Sequence, residues 1–177
     1  KKHPDMSIII FSSPKDIRGT SMLTHSKKEP ENDDQWLYLP ALKKVKRISS
    51  SNKSGKFVAS EFSYEDLTMQ KIEDGEHSYK ETKKCAGNDS RKCYVIETKP
   101  KNKKSGYSKT IQHIDTRNHQ VQYIEFYNRR GDLEKTLQFS DYKKYKGKFW
   151  RAHTMLMQNV KSGKSTILKW GSYRFGN

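Results

Sequence analysis

The chain has 177 residues and carries 36 lysines and arginines against 20 aspartates and glutamates, a formal net charge of +16. Only 32% of its residues are apolar, a balance that would suit a disordered chain. Three tryptophans, ten tyrosines and seven phenylalanines point instead to a packed interior. No apolar run exceeds four residues, against the ~20 needed to cross a bilayer as a helix. The composition thus excludes a helical integral membrane protein and leaves a folded, basic chain, which its length places in a single domain, 1–177.

In chain order, strand patterns dominate. Met6 to Phe11 is a short apolar run stopped by Ser12-Ser13-Pro14, and Ile17 to Thr24 follows. Gln35 to Leu39 is aromatic and branched, with Pro40 ending it. Lys44 to Ile48 is a weaker strand, in a stretch from Lys43 to Lys56 holding six basic residues and no acid. Phe57 to Leu67 is the one region with helical character, Ser63 being placed to cap Tyr64-Glu65-Asp66. From Ser78 onward hairpin follows hairpin. Strands near 79–85, 93–98, 107–115, 120–127, 133–140, 149–159 and 165–174 are separated by turn signals such as Ala86-Gly87-Asn88-Asp89-Ser90 and Lys161-Ser162-Gly163-Lys164. This spacing predicts an up-and-down antiparallel sheet.

Both faces of these strands carry apolar groups. Leu133, Leu137 and Phe139 alternate with polar residues. Elsewhere Cys93 and Val95 oppose Tyr94 and Ile96, Leu156 opposes Met155 and Met157, and Ile167 opposes Leu168 and Trp170. A sheet wetted on one side does not need that pattern. A two-sided core or a ligand-lined face does, and the pattern alone leaves both open.

The sequence offers little chemistry. Cys85 and Cys93 flank a hairpin turn, placed for a cross-strand disulfide in an oxidising compartment or for two thiols in a reducing one. No zinc-ligand spacing is present, and neither a metal nor a cofactor is expected. Gly163-Lys164-Ser165 imitates the end of a phosphate loop, but Gln158 stands where the first glycine belongs. His113 and Asp115 share a strand face and read as a solvent-facing pair, and Asp33-Asp34 reads as a solvated turn. No serine or cysteine sits in a nucleophile elbow, so the reading is not an enzyme. Of the basic residues 28 are Lys and eight Arg, a bias away from base-reading, which relies on arginine forks. Unspecific phosphate binding, anionic membrane contact and simple solubility remain open.

Three segments carry a resemblance: Ser13-Pro14-Lys15-Asp16-Ile17-Arg18-Gly19-Thr20, Asp34 through Ile48, and Phe62-Ser63-Tyr64-Glu65-Asp66-Leu67. With Cys93-Tyr94-Val95-Ile96-Glu97 and Leu133-Glu134-Lys135-Thr136-Leu137, they resemble the outer-membrane lipoprotein-sorting protein family, related to the periplasmic carriers LolA and LolB. The resemblance spans roughly residues 6–175. It implies a mostly β fold, a strongly curved antiparallel sheet forming an incomplete β-barrel, with short helices covering its concave face. Members of the family usually carry a further N-terminal helix and strands, which this chain is expected to lack.

The implied activity is non-catalytic: a monomeric periplasmic carrier holding lipoprotein acyl chains or other lipids in an apolar cavity. Its partners would be the cargo and membrane transport components, with transient membrane-surface contact and no nucleic acid. Candidate cavity-lining residues, chosen for size and flexibility, are Trp36, Tyr38, Phe57, Phe62, Tyr123, Met155, Met157 and Trp170. Lys43, Lys44 and Lys46 are candidates for the membrane contact. The alternative is a basic interaction module that binds nucleic acid or anionic surfaces through lysine-rich turns.

Overall fold

The computed structural model describes residues 6–27, 33–68, 70–171 and 173. The chain is mostly β, with antiparallel pairing throughout. It divides into two compact units, Lys1–Asp74 with Asn102–Ser105, and Gly75–Lys101 with Gly106–Asn177.

The first unit holds a four-stranded sheet in chain order: β1 (Met6–Ile10), β2 (Ser21–His25), β3 (Asp34–Leu39) and β4 (Lys44–Ile48). Residues 17–24 do not form one strand. Ile17 and Arg18 donate their N–H groups back to Pro14 and Lys15, and Gly19 takes φ +81°. This turn, open to glycine because it lacks a Cβ, delays β2 until Ser21.

Period-two alternation places Met22, Thr24, Gln35, Leu37 and Ile48 on one buried face. Gln35 is only 1% exposed, and its amide donates to the Tyr64 carbonyl at 3.2 Å. That bond ties the sheet to the segment Phe57–Leu67, whose Phe57, Phe62, Tyr64 and Leu67 are all buried. Phe57 meets Phe11 at 5.1 Å and the edge of Tyr64 at 5.7 Å between ring centres.

The helical character expected for this segment is confined to a 3-10 turn at Glu65–Leu67. Val58 and Ala59 lie at φ 43° and 56°, left-handed values that no right-handed helix accepts. The cap is also reversed. Ser63 donates its N–H to the Asp66 carboxylate at 2.6 Å, and no side chain caps the turn. Among the described residues the other helical pieces are likewise three-residue 3-10 turns, at Pro40–Leu42, Ser50–Asn52 and Ile72–Asp74.

Asp34 is no solvated turn residue. It opens β3, pairs with Lys27 at 2.9 Å and accepts a hydrogen bond from Arg47. Those bonds, Arg47 first, hold its carboxyl down at about 2.

The second unit contains β5 (Gly75–Cys85), β6 (Asn88–Pro100), β7 (Tyr107–Asp115), β8 (Val121–Asn128) and β9 (Leu133–Ser140). There follow β10 (Lys143–Tyr145), β11 (Phe149–Arg151), β12 (Thr154–Asn159) and β13 (Ser165–Lys169). Seven strands form one meander in the order β13-β12-β9-β8-β7-β6-β5, while β10 and β11 make a separate ribbon. The expected strand 149–159 is therefore broken at Ala152-His153, where pairing passes from β10 to β9. His153 donates its N–H to Ser140 and accepts from Trp170 N–H at 2.9 Å, which ends β13 earlier than 174.

Register shifts interrupt the pairing at Tyr79/Glu81, Tyr107/Lys109, His113/Ile114 and Phe126/Tyr127. Each bulge adds local twist and bends its strand. The result is visible at the β5–β6 tip. A methyl group on Gly87 would lie 3.3 Å from the side-chain nitrogen of Gln138, although β7 and β8 separate β6 from β9. The tip is folded back over the sheet, and Cys85 and Cys93 are joined there by a disulfide.

Two outcomes follow. Replacing both Cys85 and Cys93 by serine should lower the unfolding free energy by about 2–3 kcal/mol on loop entropy, read from urea denaturation under oxidising conditions. The low Asp34 pKa stabilises the fold above the unfolded carboxylate value near 4, and that contribution is lost as pH falls through 2. A carboxyl NMR titration should show Arg47→Gln moving the Asp34 midpoint upward.

Candidate functional site

Cross-strand register sorts the seven-stranded sheet into two chemically different faces. On the first, Met157 opposes Leu137, Leu137 opposes Ile124, Ile124 opposes Gln112, and Gln112 opposes Ile96. Ile124, Leu137 and Met157 are buried. One residue pair further along, burial relaxes. Tyr94 opposes Ile114, which opposes Val121, and Phe139 opposes Met155, which opposes Leu168. All six are partly exposed, with Tyr94 at 37%. This is an apolar band drawn from β6, β7, β8, β9, β12 and β13, with its deeper edge closed and its shallower edge open.

The same face holds a lysine that the sequence pattern conceals. Lys135 lies between Leu133 and Leu137 and is only 4% exposed. Its ammonium sits 5.3 Å from the centre of the Tyr107 ring and 5.6 Å from that of Phe126, and those rings are themselves 4.9 Å apart. Aromatic faces carry negative charge and so attract a cation where water is excluded. The apolar band therefore ends at a buried positive charge.

The opposite face buries Cys93 and Val95 at one end and is ionic beyond them. Glu97 accepts from Lys109 at 3.1 Å and pairs with Lys80 at 3.3 Å, which hold its carboxyl below the ordinary range. Lys109 covers the Tyr127 ring at 4.9 Å. Tyr127 donates to Glu125 at 2.8 Å, and burial, then this carboxylate, pushes its phenol up to about 12.

His113 and Asp115 are buried, not solvent-facing, at 3% and 0% exposure. Asp115 organises the β7–β8 turn by accepting from the Arg117 N–H at 2.9 Å and from Arg91 at 3.3 Å. Burial pushes its carboxyl up, but these donors outweigh burial and the net displacement is downward. His113 accepts from the Ala86 N–H at 3.4 Å, which requires an unprotonated Nδ1, while Nε2 faces Glu125 at 3.9 Å and lacks a hydrogen-bond partner. Desolvation lowers its pKa, against the pull of Glu125.

The residues selected from sequence fall into three places. Met155 and Met157 lie on the apolar face, and Trp170 joins them by donating its indole N–H to the Met155 sulfur at 3.2 Å. Tyr123 lies on the ionic face, edge-on to His113 at 5.6 Å and opposite Gln138. The other four belong to the first unit. Phe57 and Phe62, at 2% and 0% exposure, form its aromatic core. Trp36 and Tyr38 share the other side of its sheet with Met6, Ile8, Ile10 and Val45, the last four all more than 60% exposed.

Lys43 occupies the left-handed position after the Pro40–Leu42 turn, while Lys44 and Lys46 project from the sheet edge β4, where lysines discourage strand addition. Selection by size missed Ile96, Ile114, Val121, Phe139 and Leu168. Their signal was strand parity relative to Met155 and Met157, readable only once register is known. Among the described residues no group of three or more His, Cys, Asp or Glu is placed to hold a metal ion.

A family profile described as "uncharacterized protein" matches residues 3–177. A solved structure described as an outer membrane lipoprotein-sorting protein domain, from Vibrio parahaemolyticus, is 47% identical with a TM-score of 0.86. The alignment covers 94% of this chain and 69% of that one. The chain belongs to the outer-membrane lipoprotein-sorting protein family. A DUF1329 family protein from Desulfovibrio piger is 30% identical over the same shares of the two chains, with a TM-score of 0.85. A LolA superfamily protein from Nitrosomonas europaea, at 20% identity and a TM-score of 0.72, shares the fold over 96% of this chain and 72% of its own. A search of curated proteins returns no match.

In this family member the buried His113 makes stability pH-dependent. Its folded pKa is lowered, so its contribution is complete above the unfolded value near 6.5 and is lost as pH falls through the folded value. Urea midpoints measured between pH 7.5 and 5 should fall less steeply for His113→Gln than for the unaltered protein.

Proposed function

We propose that the protein is a non-catalytic periplasmic carrier that binds acyl chains of lipoproteins or other lipids in an incompletely closed, half-barrel sheet, for transport towards the outer membrane. The observation that carries this reading is the half-open apolar band of the second unit, Tyr94, Ile114, Val121, Phe139, Met155 and Leu168, continuous with the buried Ile124, Leu137 and Met157. Apolar surface left partly open in the middle of a sheet face is costly unless something covers it. An acyl chain is a suitable cover. Each methylene removed from water contributes about 0.8 kcal/mol, so a chain of ~14 carbons offers on the order of 10 kcal/mol before ordering costs.

Side-chain types fit a carrier that must both hold and release. Met155 and Met157 are unbranched and repack around chains of different length and curvature. The bulges bend and twist the strands that carry the band, as a half-barrel sheet requires. The lipoprotein-sorting description of the Vibrio parahaemolyticus relative and the disulfide, which persists only in an oxidising compartment, both support an envelope setting. Exposed lysines also keep an apolar-lined carrier soluble.

Extraction of the protein purified from an envelope fraction should release lipid at near one molecule per chain, detected by mass spectrometry. Met155→Glu, which places a charge in the band, should reduce occupancy at least tenfold while leaving the thermal midpoint within a few degrees. Occupancy should be nearly indifferent to salt. Empty extracts, together with no uptake of a fluorescent fatty acid, would remove the carrier reading.

A further inference from the structure

The ribbon formed by β10 and β11 stands apart from the seven-stranded sheet and has an unusual composition. Between Tyr142 and Ala152 the chain carries Lys143, Lys144, Lys146, Lys148 and Arg151 with no acidic residue. All five cations are exposed, and the aromatics among them, Tyr145, Phe149 and Trp150, are half-buried. We propose that this ribbon is a docking element for the surface of an anionic lipid bilayer.

Geometry distinguishes the ribbon from a scatter of solubilising lysines. Its base is fixed. Tyr145 donates to His153 Nε2 at 2.6 Å, His153 Nδ1 donates to the Trp170 carbonyl at 2.9 Å, and Tyr173 packs its ring against both Tyr145 and His153 at 5.8 and 5.3 Å. This polar-aromatic joint holds the ribbon to the end of the sheet. At the tip, Lys146 and Gly147 take φ 46° and 69° and Lys148 donates its N–H to the Tyr145 carbonyl at 3.0 Å, a tight three-residue turn closed by the Tyr145–Phe149 pair. Charge therefore gathers at and beside one rigid projection. Register puts Lys144 opposite Trp150, and Lys143 opposite Arg151, so positive charge is presented on both faces.

Trp150 and Phe149 are each partnered by a lysine. The Lys144 ammonium lies 5.6 Å from the Trp150 ring centre and the Lys148 ammonium 5.2 Å from that of Phe149. In a bilayer interface these pairs divide naturally. The ring settles at the level of the headgroups, where tryptophan is favoured, while the lysine stem runs along it and delivers the ammonium to lipid phosphate. Single-stranded nucleic acid would instead stack bases on ring faces, and here an ammonium already covers one face of each ring. Base reading would favour arginine, yet four of the five cations are lysine. Lys43, Lys44 and Lys46, another basic cluster, lie on an edge strand and its preceding turn, where charge also blocks strand pairing.

The test uses sedimentation of the full chain with vesicles of phosphatidylcholine alone or with 30% phosphatidylglycerol. It reads membrane partition whether or not the protein holds cargo, so its outcome is independent of the carrier reading. Expected are partition to the anionic vesicles only, a blue shift of Trp150 emission isolated by subtracting the Trp150→Phe variant, and steep weakening with salt. K144Q/K146Q/K148Q should lose about a hundredfold in partition, since each lysine near the surface is worth roughly fivefold. K43Q/K44Q/K46Q, matched in charge, should lose less than tenfold. Both triple variants should keep the unaltered far-ultraviolet circular dichroism and thermal midpoint, because every substituted side chain is exposed. Equal losses in the two variants, equal partition to both vesicles, or tighter capture of a single-stranded oligonucleotide than of anionic vesicles would overturn the proposal.

Discussion

A β-strand sends successive side chains to opposite sides, and in the second unit the two sides have been given to different chemistries. One carries Ile124, Leu137 and Met157, deepening into the core and opening through Phe139 and Met155. The other carries Glu97, Lys109, Glu125 and Tyr127 in a chain of charge-assisted contacts. A one-residue slip in a strand such as β6 or β8 would exchange these sets and bring carboxylates into the apolar band. Register is therefore the constraint on which the curvature, the ionic face and the apolar band all depend. The penalty for error is large because both faces are specified.

The bulges relax that constraint where curvature is needed and preserve it elsewhere. Near the β7–β8 turn the shift at His113/Ile114 places two residues of β8 against one of β7, and buried groups absorb the disturbance. Asp115 collects donors from Arg91 and Arg117, while His113 accepts from Ala86 on the folded-back tip. The cysteine pair closes the same tip. Covalent, polar and steric restraints thus converge on the folded-back tip.

The first unit is built around an aromatic core. Its four strands bury Met22 and Leu37, and the segment from Phe57 to Leu67 brings Phe57, Phe62 and Tyr64 into a second buried cluster. Gln35 joins the two through the Tyr64 carbonyl. Large rings were natural candidates for ligand contact from sequence, but at 0–2% exposure Phe57 and Phe62 are core residues of this unit.

The sequence by itself determined the β character, most strand positions, the hairpin order and the opposition of Cys93 and Val95 to Tyr94 and Ile96, because alternation and turn residues are local properties. It also carried the family resemblance through segments such as Asp34 to Ile48. Only the tertiary structure decided which face each strand contributes to. It placed Tyr123 on the ionic side and Phe139 on the apolar one, since parity acquires meaning only after neighbouring registers are set. It buried Lys135, which reads as a surface residue until two rings from β7 and β8 are brought beside it. It also split 149–159 into two strands, because β11 pairs with β10 and β12 with β9. These are non-local choices, fixed by which strands meet rather than by the residues within any one of them.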